Sequence, residues 1–182
     1  MLTHLRPAIT LTLFFAPLTG LLYPLAITGA AQTIFPAQAN GSQIVRNGSL
    51  IGSALIGQNW TADKYFHGRP SAVKYDASTS SGSNLGPSSK TLLTAIADNS
   101  KALGGGRVPA DLVTASGSGL DPDISPAGAL FQTERVAKAR GVTEDALRQL
   151  IAVHTRGPDL GILGEPRVNV LDLNLALDGL KP

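Results

Sequence analysis

A chain that carries the run Ala8–Thr28 (AITLTLFFAPLTGLLYPLAIT) has few fates open to it. No charged residue occurs from Pro7 to Val45. As a helix the run extends about 31 Å, enough to cross a hydrocarbon core roughly 30 Å thick. Its polar content is chiefly four threonines, whose hydroxyls can bond back to helix carbonyls. Pro17, Gly20 and Pro24 would weaken a helix in water. Spanning helices tolerate such breakers because neighbouring helices re-satisfy the freed backbone groups. The reading is one transmembrane helix over residues 8–31 that leans on partner helices.

The competing fate is a cleaved signal peptide, and Ala37-Gln38-Ala39 is a small-x-small cleavage pattern. A signal's apolar core is about 7–15 residues, shorter than this run, so the anchor is preferred. Arg6 and the N-terminal amine precede the run, and the next charge is Arg46. The positive-inside rule then leaves residues 1–7 in the cytoplasm and sends a soluble domain, residues 36–182, to the other side.

That domain is long enough for one real core. Its charges are nearly balanced, since the chain has 15 Lys and Arg against 13 Asp and Glu. They are interspersed, without a basic stripe, which argues against nucleic acid as a partner. With no cysteine there are no disulfides and no thiolate zinc sites. Twenty Gly and twelve Pro imply a loop-rich fold. The expected class is α+β, a hairpin-bearing sheet against three or four helices.

Asn47-Gly48 between Ser42–Arg46 and Ser49–Gly57 predicts a β-hairpin, because a type I′ turn needs positive φ at both positions. Trp60–Pro70 then crowds Trp60, Tyr65 and Phe66 beside Lys64, His67 and Arg69. The aromatics are read as core plugs in preference to a recognition loop. Arg69 stays open between pairing a carboxylate and contacting a partner.

Ser78–Ser89 is a Gly/Ser-rich loop feeding a helix from about Ser89 to Leu103, with Ser88 or Ser89 as cap, Leu92, Leu93 and Ile96 inward and Gly104 as stop. Such a loop entering a helix N-terminus suits an anion but is also an ordinary connection. Leu103–Val108 is a glycine-rich break, and Pro109–Ser116 a short helix. Val113–Pro126 (VTASGSGLDPDISP) is the densest unusual stretch. Asp121 and Asp123 stand two apart, as ligands of a hard cation can. The spacing is not that of an EF-hand, and Asp-Pro and Ser-Pro start turns, so no metal site is assigned.

Ser125 caps and Pro126 opens a helix to about Ala139, with Ala129, Leu130, Val136 and Ala137 on one face, a Glu134–Lys138 pair on its surface and Gly141 after it. A second helix, capped by Thr143, runs from Glu144 to His154, with Leu147, Leu150 and Ile151 inward and His154 suiting the C-terminal dipole. Arg167–Leu171 reads as a strand and Asp172 as the cap of a last helix through Leu177. No Walker A loop, G-x-S-x-G, H-E-x-x-H or nucleotide-binding G-x-G-x-x-G is present, nor the D-K-T-G-T of P-type pumps. The chain reads as an accessory protein, not an enzyme.

Behind the anchor come Tyr65-Phe-His-Gly-Arg-Pro-Ser-Ala72, Gly82-Ser-Asn-Leu-Gly-Pro87, Val113-Thr-Ala-Ser-Gly-Ser-Gly-Leu-Asp-Pro122 with Ile124-Ser-Pro126, and Arg167-Val-Asn-Val-Leu171. In that order, over essentially the whole chain, they resemble the C-subunit family of bacterial Kdp potassium-transporting P-type ATPases. One departure is Asp123, where a residue such as His or Asn is expected. The resemblance implies a single-pass subunit of the bacterial inner membrane with its domain in the periplasm. Its implied partners are a channel-like subunit that selects potassium, a P-type subunit that hydrolyses ATP and a very small membrane subunit. It implies a role in assembly and as a catalytic chaperone that raises the ATP affinity of the hydrolysing subunit. The resemblance further implies potassium as the transported ion, no covalently bound cofactor, and ATP as a ligand that this chain would meet only through the complex.

Two site assignments follow. As a cap on the outer face of the channel-like subunit, the domain would use Tyr65, Phe66, His67, Arg69, Asp121 and Asp123. As a direct nucleotide binder, it would cradle phosphate with Ser83, Asn84 and Gly86 or with Ser116, Gly117, Ser118 and Gly119.

Overall fold

The computed structural model describes residues 3–180. They form two compact units that divide between Ile51 and Gly52. In the first, helix α1 (Leu5–Pro17), a π-helical turn (Leu18–Leu22) and α2 (Tyr23–Ile34) follow one another. Residues Leu5–Ile34 are long and apolar enough to cross a membrane, and none of their apolar window is buried inside the protein. The π turn has a local cause. Pro24 has no N–H and its ring crowds the preceding turn, so the helix widens there and Tyr23 N–H bonds back to Leu18 O. Three threonines back-bond as such helices require, Thr10 to Arg6 O at 2.9 Å, Thr19 to Phe15 O at 2.8 Å and Thr33 to Gly29 O at 2.6 Å. A short α3 (Pro36–Ala39) leads to the hairpin β1 (Gln43–Arg46) and β2 (Ser49–Ser53). Asn47 at φ 53° and Gly48 at φ 78° make the expected turn. The second strand stops at Ser53, short of Gly57.

The second unit is α+β. Helices α4 (Lys90–Ala102), α5 (Ala110–Val113), α6 (Pro126–Phe131), α7 (Thr133–Arg140), α8 (Glu144–His154) and α9 (Val170–Leu177) surround a small antiparallel sheet. Its strands β3 (Asp123–Ile124), β4 (Thr155–Arg156) and β5 (Arg167–Asn169) have β5 in the middle. Register pairs Ile124 and Thr155 with Val168. The core joins Phe66, Leu112, Ile124, Val136, Leu147, Ile151, Val168, Leu173 and Leu177. Each large side chain buried there contributes about 1.5–3 kcal/mol.

Capping agrees with the sequence at three helices. Ser89 Oγ accepts from Leu92 N, Ser125 Oγ from Gly128 N and Thr143 Oγ1 from Ala146 N. Elsewhere the structure differs. The helix expected from Pro126 to Ala139 is two helices joined at Gln132, whose side chain is drawn inward to bond the backbone of His67. Leu130, expected inside, is 39% exposed, and Leu93 of α4 is 59% exposed. The last helix is capped by Asn169, which accepts from Asp172 N, and not by Asp172 itself. The i,i+4 ion pair among the described residues is Glu144–Arg148; no Glu134–Lys138 pair forms.

Candidate subunit interface

The stretch 113–126 lies against the segment 68–82, and the two fix each other by short polar contacts. Ser116 N donates to Pro70 O at 3.1 Å. Ser71 Oγ donates to Gly119 O at 2.6 Å and accepts from Tyr75 N at 3.0 Å. Ser80 Oγ reaches Ser118 O at 3.2 Å. Two glycines permit this approach. Gly119 has φ +68°, and a Cβ there would sit 2.7 Å from Ser81 O; one on Gly82 would sit 2.8 Å from Gly117 O.

Arg69 and Asp121 join the two segments, Nη1 to Oδ2 at 3.0 Å. The open question over Arg69 is answered for the single chain, since its charge faces a carboxylate. Tyr75 closes the same corner, its hydroxyl donating to Arg69 O at 2.6 Å. Burial first, then the nearby Asp121 charge, push that hydroxyl up to about 12. Lys74 and Tyr75 both hold left-handed φ, 54° and 61°, a conformation that side-chain-bearing residues seldom adopt. Asp123 is fixed by Asn169 Nδ2 at 3.2 Å and lies 3.5 Å from Arg167 Nε. Its carboxyl is raised above the usual range, by burial and then by Asp121. Together Arg69, Asp111, Asp121, Asp123, Glu165 and Arg167 line an open cleft of about 300 Å³, four carboxylates against two guanidiniums.

The other interface residues divide. Phe66 is fully buried, so its side chain belongs to the core and offers no surface. Tyr65 packs on Trp60 with centroids 4.7 Å apart, lies under the Arg140 guanidinium and bonds Asp178. His67 places Nε2 3.1 Å from Ala62 O, and its pKa is lowered by burial and then by Arg135. His154 Nδ1 lies 2.9 Å from Leu150 O at the end of α8, the place expected of a terminal cap.

The two phosphate-cradle segments adjoin at Gly82 and Gly117. Ser83, Asn84, Gly86, Gly117 and Ser118 are exposed, while Ser116 and Gly119 are buried. Ser118 Oγ accepts from Leu120 N, and the carbonyls of Ser118 and Gly119 accept from Ser80 and Ser71, so these groups are engaged within the chain.

Four residues that position this face were not singled out from the sequence. Gln132 and Asn174 clamp the backbones of His67 and Phe66, and Arg135 and Arg140 bond the carbonyls of Asp63, Tyr65 and Lys64. A signal existed for two of them. An amide within an apolar helix face, as in Val170-Leu-Asp-Leu-Asn174-Leu, has to find a partner when buried.

The family model of the K+-transporting ATPase c chain, KdpC, matches residues 5–179. Curated relatives match end to end. The potassium-transporting ATPase KdpC subunit of Gemmatimonas aurantiaca is 58% identical over 99% of this chain and 94% of its own. That of Rhodopseudomonas palustris strain BisB18 is 55% identical over the whole of both chains. That of Bradyrhizobium diazoefficiens is 54% identical over 98% of each.

Proposed function

This chain belongs to the KdpC family of K+-transporting ATPase c chains, and from that premise we propose a non-catalytic accessory subunit whose domain docks outside the membrane. Membership makes it a subunit of a potassium-transporting ATPase complex. The proposed docking site is the outer face of the channel-like, potassium-selecting subunit, and the proposed work is assembly together with raising the ATP affinity of the hydrolysing subunit. The remaining partners are that subunit and a very small membrane subunit, in a bacterial inner membrane.

The observation that carries this reading is the N-terminal helix. It is apolar and uncovered along Leu5–Ile34, has Arg6 at its start, and meets no further charge until Arg46. That asymmetry favours residues 1–7 inside and the domain outside. Pro24 supports partner helices at the span, because it has no N–H to give to the helix ladder and such breaks are tolerated where neighbouring helices pack against them. A domain outside acts on a nucleotide site inside by binding two conformations of the pump unequally, a coupling of about 1–3 kcal/mol in typical cases. Arg69, Asp121 and Asp123, with His67 and Tyr65 at the margin, are the proposed contact set.

The chain has no cysteine, which makes the test direct. A Ser118→Cys variant is exposed to a membrane-impermeant maleimide in intact cells, with lysed cells as control. Labelling in intact cells is expected. Labelling only after lysis would reverse the topology.

The second reading, direct nucleotide binding, is favoured by the adjacency of the Ser83–Gly86 and Ser116–Gly119 loops. Titration calorimetry of the detergent-solubilised full chain with ATP decides it, and no heat at millimolar ATP removes it.

A further inference from the structure

Between β4 and β5 the chain makes a tight excursion that neither site assignment uses. Asp159 and Leu163 face each other in an antiparallel bridge, N to O at 2.8 and 2.9 Å, and Leu160-Gly161 form the tip. The tip is apolar and bare. Leu160 is 90% exposed, Ile162 82% and Leu163 56%. Leu160 also holds φ +54°, a left-handed conformation that glycine takes freely and a leucine does not. A chain that needed only a turn would be better served by glycine or asparagine there.

The knob is held firmly and in a particular place. Arg167 Nη2 donates to both carboxylate oxygens of Asp159, at 3.1 and 3.2 Å, and Arg167 Nε faces Asp123 at 3.5 Å. The hairpin's return leg, Glu165-Pro166-Arg167, forms a wall of the acidic cleft that also contains Arg69, Asp121 and Asp123. The apolar tip therefore adjoins the acidic cleft through this leg and the Asp159–Arg167 pair.

We propose that Leu160, Ile162 and Leu163 are a docking knob that seats in an apolar socket rimmed by Lys or Arg on another protein subunit. The charge of the adjoining cleft selects this occupant. Interfacial membrane anchors carry Trp, Tyr, Lys or Arg, whereas this knob carries aliphatics beside carboxylates that anionic headgroups repel. A second copy of the chain would bring the same acidic excess and be repelled likewise. An aliphatic cluster of this exposure is typical of a surface covered on assembly. The inference rests on the reading that the domain works docked to a partner of the complex.

The test uses the assembled complex. An Ile162→Cys variant carries a benzophenone maleimide, and Ser118→Cys serves as a parallel probe of the loop 113–126 that leads into the cleft. Irradiation is expected to join Ile162→Cys to a different protein subunit. A photo-adduct with lipid or a second copy only, or none, overturns the knob. If Ser118→Cys still crosslinks to that subunit, docking by the cleft survives. If neither does, both readings fall. Leu160→Gly supplies a readout that a structural role would not produce. Relief of the left-handed leucine is expected to raise the unfolding midpoint by about 2–4 °C. Loss of the knob is expected to cut co-purification of the partner at least about tenfold, an effect within reach of one large aliphatic anchor. Unchanged co-purification overturns the proposal.

Discussion

Asn174 holds both polar groups of the Phe66 backbone. Its Oδ1 accepts from Phe66 N at 2.8 Å and its Nδ2 donates to Phe66 O at 2.9 Å, across 108 residues of sequence. Both residues are wholly buried. The clamp replaces a strand neighbour that this segment lacks, and it sets where His67, Arg69 and the loop beyond them begin.

Asn174→Ala should therefore leave a buried donor and a buried acceptor unpaired. The expected loss is about 2–6 kcal/mol, from two unsatisfied groups at roughly 1–3 each. Urea unfolding followed by the fluorescence of the single tryptophan, Trp60, measures it; an unchanged midpoint would show that the clamp is dispensable.

Gly119→Ala is expected to cost about 2 kcal/mol or more, because the residue has φ +68° and its new Cβ would meet Ser81 O at 2.7 Å. Gly117→Ala is the control. It has no neighbour within 4 Å and no positive φ, so a change within about 0.5 kcal/mol is expected. Equal effects at the two positions would refute the close packing of the two segments.

His67 introduces a pH dependence of known sign. Burial first, then Arg135, lower its folded pKa below 6.5, so the unfolded chain binds the proton more readily. Its contribution is fully present above pH 6.5 and is lost as pH falls through the folded value. Thermal unfolding at pH 7.5 and pH 5 should show a drop that His67→Gln reduces. An identical drop in the variant would assign it to other groups.

The Arg69–Asp121 pair separates stability from docking. Both side chains are about a quarter exposed, so Arg69→Gln should cost only about 1 kcal/mol of domain stability. The exchange Arg69→Asp with Asp121→Arg restores opposite charges within the chain but reverses them toward a partner. Recovery of stability without recovery of co-purification is expected. Recovery of both would mean that the pair serves the fold alone.

Much of the local structure was legible from residues. The long apolar helix followed from the absence of charge over Pro7–Val45, and the hairpin from Asn47-Gly48. Ser89, Ser125 and Thr143 announced three helix starts, because a cap is satisfied within three residues of itself. The break at Gln132 depends on a partner elsewhere, while the cap at Asn169 is local, accepts from Asp172 N, and was placed three residues late. Gln132 is pulled to His67, 65 residues away, and Asn169 also donates to Ala54 O. The turn formers Gly157-Pro158-Asp159 and Gly161 flank the knob, but nothing in them marks Leu160 as bare, since leucine is a poor guide to a left-handed tip.

By itself the sequence determined the membrane-competent helix and most element starts, because these rest on composition, periodicity and near-neighbour chemistry, and its ordered motifs carried the resemblance to the family. Only the tertiary structure decided which charges meet, as Arg69 with Asp121 and Arg167 with Asp123 and Asp159. It also decided which aromatics are core and which apolar residues stay bare at Leu160 and Ile162. Those outcomes are set by contacts between distant segments, where desolvation and pairing compete across the whole fold and no local window of residues contains both partners.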